Sequence, residues 1–412
     1  MGSIAQQLTT EQQPATAQQQ ELATMDFEFS EEQLAIRHQI ERLCSRYDDQ
    51  YWLERDQHGG FPEDFYKTMA EGGWLGIAMP EEYGGGGLGI TEAALMMQTI
   101  AESGACLSGC SAIHLNIFGP NCIVKFGNDK QKAAALPPLI DGTSKACFAV
   151  TEPDAGLNTT AITTRAERKG DHYLVNGTKV WTSTAQVADK MLLIARTTPT
   201  HECEKPTLGL SLFYTDLDRS RVEVREIGKM GRKAVDSNQL FIDKLEVPVE
   251  DLIGEEGRGF YYLLHGLNPE RVLVAAEAVG IGRAALRKAT AYARERVVFG
   301  RPIGQNQAIQ HPLAVNWAEL EAAELLAFKA ATVYDRGGDA GAYANAAKYI
   351  AAEAAFSAAT QAVMTHGGYG YAKEYHVERY MREVMIARIA PVSPQLVLCY
   401  LAERVLGLPK SY

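Results

Sequence analysis

Residues 150–156 read VTEPDAG and residues 175–183 read VNGTKVWTS, and these two stretches decide the architecture of the middle of the chain. Asn176-Gly177 lies between two short apolar runs, and a type I′ hairpin turn needs two residues that tolerate positive φ. We therefore predict a β-hairpin that turns at Asn176-Gly177. Trp181 and Ser183 would lie two residues apart on one face of its second strand, where the ring could either pack in a core or face a polar ligand.

Length and composition indicate a multi-domain globular protein. The chain has 412 residues, of which 46% are hydrophobic, and this length exceeds the size at which one core usually divides into domains. The net charge of −11 disfavours nucleic acid and anionic membranes as main partners, because both require a clustered basic face. No apolar run approaches the roughly 20 residues of a membrane span, so we expect neither partner.

The cysteines and residues 1–24 indicate the cellular compartment of the protein. Seven scattered cysteines favour a reducing environment over a disulfide framework. Cys106 and Cys110 have helical spacing but no completing His or Cys pair, so we interpret them as small buried residues and predict no metal site. Residues 1–24 have neither an apolar signal core nor an Arg-rich presequence, and we predict a disordered tail and a cytoplasmic protein.

Periodicity divides the remaining chain into three parts. Residues 25–146 show helical patterns, with Ser30 predicted to begin the first helix. Residues 147–257 alternate with period two, and residues 258–412 are Ala-rich and helical. Helices, then strands, then helices form an α+β arrangement of segregated elements. We predict three domains with these limits.

The glycine run at residues 84–89, GGGGLG, matches the spacing of a dinucleotide-binding fingerprint. That fingerprint works only where it follows a strand and opens a helix onto a pyrophosphate. Here the run follows Met79-Pro80-Glu81-Glu82-Tyr83, a turn sequence. We predict a connection between helices and no nucleotide site.

Four blocks in order resemble the acyl-CoA dehydrogenase family. The first joins the VTEPDAG loop to the WTS at residues 181–183, and the second runs from Met230-Gly231-Arg232 to LIGEEGRGF at residues 252–260. The third is RVVFGRPIGQNQ at residues 296–307, and the fourth is HGGYGY at residues 366–371. Each block alone is weak, but together they extend the resemblance over residues 25–408.

The resemblance implies an N-terminal α-helical domain, a middle β-barrel-like domain and a C-terminal four-helix bundle. It also implies FAD as cofactor, an acyl-CoA substrate, an electron-transfer flavoprotein as acceptor and a homotetramer built as a dimer of dimers. In the family the third block reaches the FAD of a neighbouring subunit. The residues that the resemblance assigns to FAD are Phe148, Val150, Thr151, Gly156, Trp181, Ser183, Arg296, Phe299, Gln307, Gly367 and Gly368.

The catalytic base departs from the majority pattern of the family. Most members carry it in a late Tyr-Glu-Gly-Thr segment, where this chain has Pro391 in IAPVSPQ. Isovaleryl-CoA and long-chain dehydrogenases instead carry a glutamate near the start of the first helix of the last domain, which corresponds to Glu270. Asn268-Pro269-Glu270 also has the chemistry of a helix start, with Asn268 as N-cap. The resemblance favours Glu270 as the α-proton base, with Arg271 and Pro391 contacting substrate.

Pro391 raises a second difficulty. In the family this late position donates its backbone N–H to the thioester oxygen, and proline has none. Losing one such donor typically costs about 3–4 kcal/mol of transition-state stabilisation. A shifted register, another donor or an unusual substrate would account for it. Leu157, Asn158 and Met364 likewise replace polar residues that are usual in the family.

The resemblance therefore implies FAD-dependent dehydrogenation of an acyl-CoA to the 2-enoyl-CoA, with the α-proton passing to Glu270 and the β-hydride to flavin N5. Two alternatives stay open at this stage. A flavin monooxygenase or oxidase could use the same scaffold, because these motifs do not report oxygen reactivity. A non-catalytic flavin- or thioester-binding homologue would explain the missing late base.

Overall fold

The computed structural model describes residues 27–411, so the predicted disordered tail at residues 1–24 lies outside the described residues. Helices open the described part of the chain, and Ser30 caps the first of these described helices as predicted. Its hydroxyl accepts from the Gln33 backbone N–H (3.2 Å), and the Gln33 side chain accepts from the Ser30 N–H (3.1 Å), which is a capping box. The first seven helices are α1 (Glu31–Cys44), α2 (Asp49–His58), α3 (Glu63–Glu71), α4 (Ile90–Ile100), α5 (Cys106–Phe118), α6 (Asn121–Phe126) and α7 (Asp129–Ile140).

Two details of this helical part follow the sequence. Cys106 and Cys110 are both 0% exposed, as predicted for small buried residues. The glycine run follows the short helical turn Glu81–Tyr83 and no strand precedes it there, so the interpretation as a connection is confirmed. A Cβ on Gly85 would lie 2.2 Å from the Met79 carbonyl oxygen, and this close backbone approach requires glycine.

The middle of the chain forms a seven-stranded half-barrel. Its strand order is β1-β4-β2-β3-β7-β6, and β5 also pairs with β4. Strands β1 and β4 run parallel, whereas the long pairing of β3 with β7 is antiparallel. The strands are β1 (Ala146–Ala149), β2 (Arg165–Lys169), β3 (His172–Ser183), β4 (Lys190–Arg196), β5 (Leu210–Asp216), β6 (Val222–Glu226) and β7 (Ser237–Pro248).

The predicted hairpin turn at Asn176-Gly177 is wrong. Strand β3 runs straight through both residues, and the turn between β2 and β3 is at Gly170-Asp171, because Lys169 pairs with His172. Asn176-Gly177 instead marks a register shift against β7, with a Gly177 φ of +159°. A Cβ on Gly177 would lie 2.3 Å from Thr164 Oγ1. An Asn-Gly pair serves a β-bulge as well as a turn, since both need local backbone freedom.

The last part of the chain is a helical bundle. Helices α8 (Gly259–Glu295), α9 (Gln307–Asp335), α10 (Gly341–His366) and α11 (Val377–Ile389) pack on one another, and α12 (Pro394–Arg404) follows. Alanines on α10 such as Ala355 and Ala359 are 0% exposed, and their small side chains let the helix axes approach closely. A short hairpin, β8 (Val297–Val298) with β9 (Arg301–Pro302), connects α8 to α9.

The predicted helix start at Asn268-Pro269 is also wrong. Helix α8 begins at Gly259, so Pro269 lies inside it and Glu270 is not in its first turn. The preceding residues continue the helix because they pack: Leu263 is buried, and the Tyr262 ring lies 4.3 Å from the Phe126 ring. This packing compensates for the hydrogen bond that an interior proline removes. The helix dipole, which acts within the first turn, therefore does not act on Glu270.

The observed architecture is the predicted α+β class: a helical N-terminal domain, a middle β-sheet half-barrel and a helical C-terminal domain. The predicted domain limits after residues 146 and 257 stay a prediction. No single helix within residues 27–411 has the length and apolarity of a membrane span, although α11 and α12 taken together as a bent pair reach both.

Candidate active site

A buried ion pair joins the loop after β1 to strand β3. Lys179 Nζ, with a side chain 0% exposed, donates to the Glu152 carboxylate (2.9 Å) and to the Val150 carbonyl (3.0 Å). Glu152 also accepts from the backbone N–H groups of Thr163 (2.6 Å) and Thr164 (2.9 Å). Burial opposes the Glu152 charge, but the Lys179 ammonium and these hydrogen bonds outweigh it and lower the pKa of Glu152 to about 2. Burial lowers the pKa of Lys179 to about 8.

This ion pair fixes Thr151 beside the end of β3. The Val180 N–H donates to the Thr151 carbonyl (2.9 Å), one residue before Trp181. Trp181 is 60% exposed and has a φ of +61°, a conformation rarely adopted by a large residue. The exposure excludes the interpretation of Trp181 as a core residue. Its ring presents an apolar plate at the surface, with Ser183 two residues further along the same strand.

Phe148 and Gly156 are further predicted residues of the first block. Phe148 is on β1, where its ring contacts the Phe118 ring edge to face at 5.4 Å. Gly156 is exposed, and a Cβ there would meet nothing within 4 Å. The loop therefore leaves open space beside a rigidly held strand.

A second group of predicted residues gathers at the C-terminal end of α8. The Arg296 guanidinium lies over the Tyr369 ring at 5.7 Å, directly after Gly367 and Gly368. Both glycines are exposed and open. Phe299 at the tip of the β8–β9 hairpin is 100% exposed. Gln307 begins α9 at the same end and is exposed.

Glu270 lies in a recess between α5 and α8. On α5 the half-buried positions include His114 and Leu115, and on α8 they include Glu270 and Val274, so each helix leaves one face uncovered. Burial raises the pKa of Glu270 to about 7, with the nearby His114 and Arg271 opposing the rise. A carboxyl that is partly accessible and yet strongly desolvated is what a narrow recess produces.

Lys348 connects the recess to the segment around Pro391. It is 1% exposed, and its ammonium donates to the Val392 carbonyl (2.6 Å), which follows Pro391 directly. Burial and then Arg271 lower the pKa of Lys348 to about 8, while Glu270 opposes this. Lys348 thus contacts the residue after Pro391 and is under the electrostatic influence of Glu270. Arg271 donates to the Leu267 carbonyl of its own helix (3.2 Å).

Four further polar residues near Glu270 were missed as site residues by sequence reasoning. His114 Nδ1 donates to Glu277 (2.7 Å), a carboxylate only 2% exposed. Arg232 reaches α5 by donating to Ser111 Oγ (3.1 Å). One signal was available, because Glu277 follows Glu270 by seven residues and therefore lies on the same helix face. Nothing in the local sequence around Arg232 indicates its neighbours.

Comparison with known proteins agrees with this geometry. Three family models match the chain in order: acyl-CoA dehydrogenase, N-terminal domain, at residues 30–143; the middle domain at residues 147–245; and the C-terminal domain at residues 257–391. The chain belongs to the acyl-CoA dehydrogenase family.

Individual relatives span nearly the whole chain. Acyl-CoA dehydrogenase FadE12 of Mycobacterium tuberculosis is 39% identical over 389 residues, which cover 93% of this chain and 98% of that protein. The glutaryl-coenzyme A dehydrogenase structure with glutaryl-CoA is 32% identical with a TM-score of 0.89, covering 94% of this chain and 98% of that one. PigA with FAD and proline is 25% identical with a TM-score of 0.88, covering 93% and 100%.

These relationships identify an acyl-CoA dehydrogenase oxidoreductase with FAD as cofactor. The described residues fit that group. The exposed face of Trp181 suits a flat aromatic ring system, and the loop at Thr151 leaves room beside it. The Arg296 cation and the open backbone at Gly367 and Gly368 suit a pyrophosphate, which accepts charge-assisted hydrogen bonds and needs close approach.

Proposed function

We propose that the protein oxidises the Cα–Cβ bond of an acyl-CoA thioester and that Glu270 is the base for the α-proton. The observation that supports this most directly is the recessed Glu270 carboxyl, whose pKa burial raises to about 7. A general base is most effective when its pKa lies near the working pH, because it is then both ionised and basic. The absence of a glutamate at Pro391 leaves this role to Glu270 in the sequence pattern.

The proposed reaction removes one proton and one hydride from the acyl group. The Cα proton passes to the Glu270 carboxylate, and the electron pair of the Cα–H bond becomes the second bond between Cα and Cβ. A bound FAD, held by Thr151, Trp181 and Ser183, would supply the two-electron acceptor for the hydride that leaves Cβ. The product is the 2-enoyl-CoA, and the two electrons leave through an electron-transfer flavoprotein, as the family resemblance implies.

The residues around Glu270 prepare this proton transfer. Arg271 follows Glu270 directly on α8, and Lys348 connects Val392, next to Pro391, to the charge of Glu270. We assign Arg271 and Pro391 to substrate contact. Pro391 has no N–H, so this position does not supply a donor to the thioester oxygen. Loss of water when an acyl group enters the recess increases the basicity of the Glu270 carboxylate further.

The cofactor residues support a shared site between subunits. Arg296 follows the last residue of α8, so it lies roughly 38 Å along the helix from Glu270 at 1.5 Å per residue. One extended FAD is too short to contact both. Thr151, Trp181 and Ser183 would therefore hold the flavin of their own subunit, and Arg296, Phe299, Gln307, Gly367 and Gly368 would hold a neighbour's FAD in a homotetramer.

Arg296→Ala should weaken FAD retention without changing the fold. A charge-assisted hydrogen bond is worth about 1.5–3 kcal/mol, so we expect the FAD dissociation constant to rise roughly 10- to 100-fold. Equilibrium titration of the apoprotein measures this change, with the exposed Arg165→Ala as matched control. A wild-type protein that is monomeric and fully loaded with FAD would contradict the shared site.

Flavin reduction should become faster as the pH rises through about 7. Only ionised Glu270 accepts a proton, and its raised pKa keeps it protonated at lower pH. We expect kcat/KM for anaerobic flavin reduction to fall about tenfold per pH unit below 7 and to level off above it. A rate that is independent of pH, or that falls as pH rises from about 5.5 to 8, would exclude this assignment.

The proposed function is tested by adding a panel of acyl-CoAs to the protein without oxygen and following the flavin absorbance. Bleaching by at least one acyl-CoA supports dehydrogenation. Turnover that consumes oxygen with each substrate would instead identify an oxidase or monooxygenase. Bound FAD that no acyl-CoA reduces would identify a binding homologue.

A further inference from the structure

Arg232 is a cation near the recess of Glu270, because its charge acts on His114, on which Glu270 also acts. Arg232 Nη2 donates to Ser183 Oγ (3.1 Å) and Ser237 Oγ (2.8 Å), and Nη1 donates to Ser111 Oγ (3.1 Å). All three partners are neutral hydroxyls. Among residues 27–411, no Asp or Glu lies within 4.0 Å of the Arg232 guanidinium. The carboxyl groups of Glu383, Asp236 and Glu277 act on it electrostatically from beyond that distance.

Arg232 also has donors without partners. A guanidinium carries five N–H groups, and three of them are used by the serines. Nε is buried with no hydrogen-bond partner, and Nη1 retains one uncommitted N–H. An unpaired, partly buried donor on a cation is unfavourable unless a ligand completes it.

A second donor lies across the recess. His114 uses Nδ1 for Glu277 (2.7 Å), and an ionised carboxylate only accepts, so Nδ1 carries the hydrogen. Burial opposes the charged imidazole, but the Glu277 carboxylate outweighs it and raises the pKa of His114. The charged form also has an N–H at Nε2, for which no protein partner exists among the described residues.

Electrostatic interactions connect these groups to the proposed base, because Glu270 acts on His114 and Glu277 acts on Glu270. Ser111 and His114 are one turn apart on α5, so they share a face. Glu277 lies roughly 10 Å along α8 from Glu270 at 1.5 Å per residue. We call the set of Ser111, His114, Ser183, Arg232, Glu270 and Glu277 the polar recess. An unsubstituted hydrocarbon chain that entered the polar recess would cover the N–H groups of Arg232 and His114 without forming a hydrogen bond to either.

We propose that the acyl group of the natural substrate carries an oxygen acceptor, beyond the thioester, that bonds to the free Nη1 N–H of Arg232. This inference rests on the proposed function and narrows its substrate class. A carboxylate and a hydroxyl or carbonyl share the required chemistry. With Glu270 ionised, the recess holds two cations and two carboxylates when His114 is charged, so a neutral oxygen fits it as well as an anionic one.

The test compares acyl-CoAs of equal carbon number that end in a methyl, a hydroxyl or a carboxylate, at several chain lengths. Anaerobic flavin reduction gives kcat/KM for each. At one chain length or more, wild type should prefer an oxygenated substrate over its methyl counterpart by roughly 10- to 100-fold. Comparison of kcat/KM for the hydroxyl and carboxylate substrates shows which oxygen group the polar recess binds.

Arg232→Met should abolish that preference, so that kcat/KM for an oxygenated substrate falls to that of its methyl counterpart. Lys233→Met is the matched control, because it removes the same charge from an exposed neighbouring residue. Arg232→Lys retains the charge but not the planar fork, and it should restore part of the preference. If Arg232→Met does not fold, the preference for oxygenated substrates is measured in Arg232→Lys and Ser111→Ala with the same acyl-CoAs.

Two results would overturn the inference. One is a methyl substrate that matches or exceeds its oxygenated counterparts at every chain length. The other is an unchanged substrate ratio in Arg232→Met together with a lowered reduction potential of the ligand-free flavin, which would assign the cation to the cofactor through Ser183. A wild-type flavin that no acyl-CoA reduces contradicts the proposed function itself, and so the two failures are distinguishable.

Discussion

Glu270→Gln is expected to slow anaerobic flavin reduction by roughly 10²- to 10⁴-fold, the usual contribution of a general base. The amide preserves the size of the side chain but cannot accept the α-proton. FAD content and acyl-CoA binding should stay at wild-type levels. Stopped-flow absorbance measures the rate, and Glu71→Gln, an exposed change of the same chemistry, is the control.

The stability of Glu270→Gln distinguishes a loss of catalysis from a loss of folding. The pKa of Glu270 is raised to about 7 in the folded chain, above the ordinary value of about 4.3. The folded state therefore binds the proton more tightly, and stability decreases as pH rises from about 4 to about 7. At higher pH, Glu270→Gln removes a destabilised charge and should be as stable as wild type or more stable, by at most about 4 kcal/mol. A variant that reduces its flavin at the wild-type rate would mean that the base is another residue.

Lys179→Met is expected to release FAD. The substitution leaves Glu152 ionised and buried without its cation, and breaking a buried pair in this way costs about 3–5 kcal/mol. It also frees the Val150 carbonyl, so the loop that carries Thr151 loses its attachment to β3. FAD per chain after desalting should fall well below that of Lys169→Met, which removes an exposed lysine paired with Glu167.

The double variant Lys179→Met/Glu152→Gln distinguishes positioning from general stability. It removes the buried charge as well, so thermal stability should recover in part. FAD affinity should stay low, because the attachment between loop and strand is still missing. Equal FAD affinity in Lys179→Met and Lys169→Met would show that the ion pair does not position the cofactor loop.

The order of elements was predictable because local signals and tertiary packing agree there. Ser30 caps a helix in the sequence pattern and in the structure. The switch to period two near residue 147 corresponds to strands that bury one face, with Tyr173 and Val175 inside. Where the hydrophobic pattern and the turn chemistry point to the same element, sequence reasoning succeeds.

The two wrong predictions, of a hairpin turn at Asn176-Gly177 and of a helix start at Asn268-Pro269, have one physical cause. In both places tertiary packing outweighs a local conformational preference. Asn176-Gly177 would suit a turn, but pairing with β7 on both sides of it keeps β3 extended. Pro269 would suit a first helical position, but the buried residues before it extend α8 by nearly three turns. Such long-range contacts are not visible in a short window of sequence.

The polar recess could not be predicted from the sequence for a related reason. Arg232 comes from the segment before β7, Ser183 from the end of β3 and Ser111 from α5, so their proximity depends on how three elements meet. Glu270 could be proposed from the family pattern, whereas its desolvation could be seen only in the structure. The buried Lys348 under Val392 belongs to the same class of long-range contact.

The most direct measurement of the central claim is a single anaerobic turnover with product analysis. An acyl-CoA that bleaches the flavin is mixed with excess protein, and the 2-enoyl-CoA formed is quantified against the FAD reduced. The account predicts about one 2-enoyl-CoA per FAD reduced with no oxygen present, since one Cα–Cβ bond supplies the two electrons that one flavin accepts. Bound FAD that stays oxidised with every acyl-CoA, or product that forms only as oxygen is consumed, would contradict it.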